Sequence, residues 1–193
     1  MLSVWPAVVP QESRRQGPVG LDKPAGWRDR SGLEWSVHPP TPYIDRHWPH
    51  LLPDWLEPVG SVILLLQKAP QPLMALSASA EASKVQLRDR ALVLGNRVQT
   101  ALQNQGYRAA LFDPKTGLPA AGIPGKSLDD VAVVQALLGY RAVREGTCAC
   151  ICHPSWGFAV YPTTLLCAAA PSQVAAIEPE LWHTTTAARR AKA

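Results

Sequence analysis

The amino-acid sequence predicts an α+β domain, with a mixed or antiparallel sheet of about five strands and helices packed on it. Three stretches carry this expectation. Val59–Gln67 is a short, branched apolar run between Pro58 and Pro70, the signature of a strand buried on both faces. Leu87, Ala91, Leu94, Val98 and Leu102 recur at helical spacing along one long segment. Cys148–Cys152 reads as a strand that stops at His153-Pro154, beyond which Phe158, Val160 and Tyr161 carry β-forming side chains into a return strand.

The other elements follow in chain order. Leu33–Val37 is a first short strand, closed by Pro39-Pro40. In the mixed segment Tyr43–Leu56, His47 and His50 lie one helical turn apart, a spacing that invites a metal. Pro49 separates them and no tetrahedral set is completed nearby, so the segment reads as a surface turn. Lys68–Ser79 is a loop with a short return strand near Leu73–Leu76. Ser83 and Gln86 have the spacing of a capping box for the long helix, and Gly106 suits the left-handed residue that closes it. Arg88, Arg90 and Gln99 fall off the apolar stripe, as a solvated face would.

Tyr107–Phe112 is a further strand, ended by the turn residues of Asp113–Gly117. Residues 118–126 form a Pro/Gly loop whose GIPGKS lacks the glycine spacing of a phosphate-binding loop. Ser127 and Asp130 cap a second helix, which Gly139 stops. Asp129 and Asp130 look like a catalytic pair, but acids in a first helical turn are favoured by the helix dipole alone.

The domain organisation is an arm over residues 1–32, a folded body over 33–170 and a tail over 171–193. The arm is rich in Pro and Gly without sustained periodicity, which predicts a protease-sensitive segment with Trp5 or Trp27 docking on the body. The formal charge is +4, and the arm alone carries five basic against three acidic side chains. Charge gathered at the ends rather than on a folded face argues against nucleic acid as partner. The longest apolar run, Val62–Leu66, is far short of a membrane span, and no signal-peptide pattern opens the chain, so a cytoplasmic protein is expected. Four cysteines are too few for a disulfide scaffold at this length.

Cys148, Cys150 and Cys152 share one face of an extended strand. Neighbours on that face stand ~6.6 Å apart. Three such sulfurs do not converge on one ion with bonds of ~2.3 Å, which excludes a strand-only zinc site. Two readings remain: cysteines buried as small apolar residues, or a thiolate acting as a soft donor.

Three stretches, Gln105–Leu118 (QGYRAALFDPKTGL), Leu138–Cys148 (LGYRAVREGTC) and His153–Val160 (HPSWGFAV), resemble the C-terminal domain of the methylmalonic aciduria and homocystinuria type D family of cobalamin-trafficking proteins. The resemblance runs from about Leu33 to Ala169, roughly seven tenths of the chain. It implies a nitroreductase-like fold that has lost flavin binding, and an adaptor rather than a stand-alone enzyme. It also implies two kinds of partner, a cobalamin-processing companion protein and the cobalamin-dependent enzymes. In the family a cysteine at the start of the last hairpin is assigned to cobalt. Thr147 stands where the first of two adjacent family cysteines falls, and Cys148 where the second does. Cys148 is therefore the candidate ligand for the cobalt of cobalamin or a related corrinoid, with Cys150 the second candidate. The resemblance implies no catalytic residue and no metal beyond corrin cobalt. Two other classes stay open: a nitroreductase-like enzyme that kept its flavin, and a protein-binding adaptor with no ligand of its own.

Overall fold

The structure, a computed structural model, describes residues 28–177 apart from Ser31, Leu76, Gly146 and Thr147. The arm as far as Trp27, the tail from residue 178 and the end of the strand expected near Leu76 lie outside the described residues.

Ser61–Lys68 organises the fold. Numbered in chain order it is β3, after β1 (Arg28–Arg30) and β2 (Leu33–His38). It occupies the middle of a five-stranded antiparallel sheet of order β1-β2-β3-β7-β4, where β4 is Ala109–Leu111 and β7 is Val160–Cys167. β1 falls inside the stretch assigned to the arm, because Arg28–Arg30 pairs with Leu33–Trp35 across Gly32 at φ +82°.

The alternating side chains of β3 feed two cores. Val62, Leu64 and Leu66 pack with α1 (Pro42–Leu51), α3 (Asp130–Leu138) and Ile151. Ile63 and Leu65 pack with α2 (Ala78–Asn104) through Leu94, Val98 and Leu102, and with Val174 of α4 (Pro171–Ala176). The structure is thus an α+β fold with an antiparallel sheet covered on both faces. None of the helices among the described residues is long and apolar enough to cross a membrane.

Helix starts differ from the sequence reading. The segment around His47 is a helix, not a turn. Thr41 Oγ1 accepts from the Ile44 amide at 3.2 Å, Pro42 takes the first helical position, and the helix carries Pro49 only two residues before its end. The long helix opens at Ser77, whose hydroxyl accepts from Ala80, so Ser83 is interior and donates back to the Ser79 carbonyl at 2.9 Å. Alanine-rich residues 78–82 supply the propensity for those extra turns. The cap of α3 is Asp129, not Ser127, and it accepts from Ala132 at 3.1 Å. Leu73 lies buried in a turn rather than a strand, in a loop tied to the chain ahead of β7 by Ala69 N to Ala159 O and Leu73 N to Phe158 O.

The hairpin expected around His153 is resolved differently. Cys148–Cys152, here β6, pairs with β5 (Arg141–Glu145) as a separate two-stranded ribbon. After the turn the chain enters the main sheet as β7, because the buried strand β3 needs a hydrogen-bonded partner on each edge.

Gly106 ends α2 at φ +85°. Its amide reaches the Gln103 carbonyl, and Tyr107 N reaches Leu102 O at 3.1 Å, a Schellman closure. An added Cβ there meets nothing within 4 Å, so backbone strain is the whole penalty. Gly106→Val is expected to destabilise the domain by roughly 1 kcal/mol or more. Thermal melts check this, and an unchanged midpoint would contradict it.

Candidate functional site

The ribbon strand β6 splits its residues between two surroundings. Ile151, 1% exposed, and Ala149 pack on the core beneath, while the alternate residues Cys150 and Cys152 are half-buried. Cys148 holds the first position of β6, opposite Glu145, and Thr147 lies outside the described residues. Cys167 is elsewhere, fully buried in the main sheet. Burial pushes its thiol up, and its sulfur accepts from the Ala169 amide at 3.4 Å, so its role is packing. On α1 the rings of His47 and His50 stack at 6.3 Å. Among the described residues no group of three or more His, Cys, Asp or Glu gathers in a way that could hold a metal.

The end of β6 is pinned by His153. Its Nδ1 accepts from the amides of Ser155 (3.1 Å) and Trp156 (3.2 Å), which leaves the ring proton on Nε2. That nitrogen donates to Glu34 Oε2 on β2 at 2.9 Å, and both side chains are buried. Trp156 stacks on the imidazole at 4.1 Å and Tyr140 meets it edge-on at 5.3 Å. His153 and Gly157 exchange backbone hydrogen bonds across the three-residue turn, with Gly157 at φ +56°. Beyond the packing of Ile151 and Ala149, the ribbon is therefore tied to the main sheet by a buried charge-assisted contact. Sequence reading missed Glu34. The only local signal was an acid set between two core-forming residues, Leu33 and Trp35, at the start of a strand.

Beside the ribbon lies a cleft of about 720 Å³, bounded by the first half of α2, the Asp113–Gly117 turn, the start of α3, β6 and the start of β7. It exists because β4 pairs with β7 only as far as Leu111–Leu165, with one further bond from Phe112 N to Thr164 O. The earlier part of β7, around Pro162, edges the opening.

Charged pairs frame it. Arg88 donates two hydrogen bonds to Asp113, at 2.8 and 2.5 Å, and this holds the Asp113 carboxyl below its ordinary value. Arg88 is thus locked rather than part of a solvated face, whereas Arg90 is exposed and Gln99 accepts from the Leu111 amide. Burial alone would raise Asp129, but its bonds from Arg144 (2.6 Å) and Ala132 bring it low. Lys84 is paired with Glu81 at 2.7 Å.

Asp130 is the exception. It is buried, and burial, reinforced by Asp129 and Asp113, raises its carboxyl to about 7. Thr164 acts in the opposite direction without closing a hydrogen bond of good geometry. Burial likewise raises the neighbouring Tyr161 phenol to about 12. The adjacent acids therefore do different things: Asp129 caps the helix, and Asp130 does not serve the dipole as an ordinary charged acid. Cys150 also lines the cleft, so the second candidate ligand and Asp130 share one opening.

Comparison with known proteins finds no family model that matches the chain and no match among curated proteins.

Two outcomes follow. His153→Ala strands the Glu34 carboxylate and is expected to cost about 3 kcal/mol, more than Glu34→Gln, whose amide still accepts from Nε2. Denaturant titration of both variants checks the order. The Asp130 carboxyl keeps its proton in the folded state to about pH 7, whereas the unfolded group releases it near 3.8. Its contribution therefore falls as pH rises from about 4 through 7. Asp130→Asn should stabilise the protein more at pH 8 than at pH 5, read as the change in melting temperature at each pH. An equal change at both would contradict the assignment.

Proposed function

We propose that the chain is a cytoplasmic adaptor of cobalamin trafficking, built on a nitroreductase-related frame without flavin. It accepts processed cobalamin or a related corrinoid from a companion protein and directs it toward cobalamin-dependent enzymes. The corrinoid is cargo, not a resident cofactor. The observation that carries the reading is the arrangement of β6: Cys148 begins the strand, Ala149 and Ile151 take its core side, and Cys150 lines an open cleft. The resemblance of Gln105–Leu118, Leu138–Cys148 and His153–Val160 to the type D family supports the same assignment.

The chemistry asks little of the protein. The corrin ring supplies the equatorial ligands, so one soft donor at the axial position suffices. A thiol gives up its proton to solvent and then offers the sulfur lone pair as a soft donor. Cys148 takes the role because the family's first cysteine is replaced by Thr147, whose neutral hydroxyl is a hard, weak donor. The His153–Glu34 contact holds the far end of the same strand, which keeps the thiolate strand in register against the main sheet.

Titration of companion-bound cobalamin under reducing, oxygen-free conditions tests the assignment. Wild type should change the corrin absorption spectrum, Cys148→Ser should abolish the change, and Cys150→Ser should leave it. Identical spectra for wild type and Cys148→Ser would remove the thiolate role and leave an adaptor without a ligand of its own.

A further inference from the structure

β4 lies at the margin of the main sheet, and its outer edge is covered except at one residue. The Arg108 carbonyl accepts from Ala168 and the Phe112 amide donates to Thr164, so both face β7. Peptide groups alternate along a strand, and Ala109 and Leu111 therefore turn theirs outward. Leu111 is provided for. Its amide donates to Gln99 Oε1 at 2.9 Å, and its carbonyl accepts from Ala120 at 2.8 Å. Asp113 continues this outer pairing by donating to the Leu118 carbonyl, and Phe112 bridges to Pro119. The same antiparallel register would set Gly122 against Ala109. Gly122 instead takes φ +92°, and no hydrogen bond joins the two. Among the described residues the Ala109 amide and carbonyl have no partner, although the residue is only 6% exposed. Buried peptide groups are nearly always paired.

This unpaired edge borders a second cavity, of about 410 Å³, between the end of α2, the loop at residues 52–55 and the chain at residues 121–122. Leu52, Trp55 and Ala110 line it as buried apolar residues. Its polar side chains leave the strand edge unserved. The Gln99 carbonyl is engaged by Leu111, the Arg108 guanidinium donates to the Asp54 carbonyl at 2.9 Å, and Asp54 and Gln103 are exposed to water. Such side chains can swing to meet many ligands, whereas the Ala109 donor and acceptor are fixed on one side of one residue. They select a ligand that offers an acceptor and a donor side by side. A carboxylate has no proton for the carbonyl, and an ammonium has no acceptor for the amide. An added strand would need the next rungs of the ladder, but Leu111 is already paired and the Tyr107 amide donates to Leu102. We infer that the cavity is a binding site for a small molecule carrying a primary carboxamide on an apolar stem. The carboxamide oxygen accepts from the Ala109 amide, its N–H donates to the Ala109 carbonyl, and the stem packs on Leu52 and Trp55. The site is independent of Cys148 and of the cleft beside β6, so it stands whether or not the thiolate meets cobalt.

The full-length protein is titrated with benzamide, and with N,N-dimethylbenzamide and benzoate as controls that keep the stem and an acceptor but lack the N–H. NMR follows the Ala109 amide and carbonyl signals. Benzamide should shift both, and each control should bind weaker by roughly tenfold or more, as the loss of one buried hydrogen bond implies. In the ligand-free protein the Ala109 amide should exchange with solvent faster by roughly tenfold or more than the Phe112 amide, which is bonded to Thr164, and benzamide should slow it. Protection of Ala109 equal to that of Phe112 before any ligand is added would mean that the chain at Gly122 closes the gap by itself. Equal affinity for benzamide and N,N-dimethylbenzamide would mean that the stem binds without the strand edge. Benzamide that moves neither Ala109 signal would mean that the edge takes no carboxamide. Any one of these three results overturns the proposal, and none depends on a variant folding.

Discussion

The structure depends on having no exposed side to β3. Seven of its eight residues are buried, so it must be hydrogen-bonded on both edges and covered on both faces. The edges recruit β2 and β7. One face recruits the stripe of α2, and the other recruits α1, α3 and the apolar side of β6. A chain of this length meets those four demands with elements from widely separated parts of its sequence. This is why the ribbon strand lies against the core although it belongs to a different sheet.

The two layers differ in polarity. On the α2 side the packing is mostly hydrocarbon, with Gln67 donating to the Leu87 carbonyl as a local polar tie. On the ribbon side the even-numbered residues of β2, Glu34, Ser36 and His38, are buried and polar. They pair off: Glu34 with His153, and Ser36 with His38 at 2.7 Å. Burial lowers the His38 imidazole to about 4, so it stays neutral near physiological pH and adds no charge to that layer. Polar groups inside a layer specify one docking of the ribbon among the many that a purely apolar face would tolerate, at the cost of desolvating them. The cleft and its carboxyl belong to this same layer.

Much of the framework was legible locally. The apolar run of β3, the stripe of α2, the left-handed Gly106 and Gly139, and the turn at Asp113–Gly117 are all dictated by residues within a few positions of one another. Helix starts were not, because several Ser, Thr and Asp residues compete to cap each one. Ser77 wins over Ser83, and Asp129 over Ser127, only once the helix axis is set by packing. The strand β5 was missed because its Arg-Ala-Val-Arg-Glu pattern has little apolar content and pairs through its backbone. The site itself was half visible. The cysteine strand declares itself, but Arg88 meets Asp113 from 25 residues away and Glu34 meets His153 from 119, and no local periodicity encodes such contacts. Asp130 could be seen as an acid near a helix start, yet its burial arises from β7 and is not written beside it.

Pro162 bears on how such an opening survives in a crowded solution. The Thr164 carbonyl points toward β4, so two residues earlier the backbone of Pro162 turns the same way, along the stretch that β4 leaves uncovered. A free strand edge normally templates the addition of another chain. Here the residue at that position has no amide to donate, so an incoming strand finds a broken ladder. The sheet can keep a gap wide enough for a small molecule while remaining a poor template for fibril growth or domain exchange at that margin.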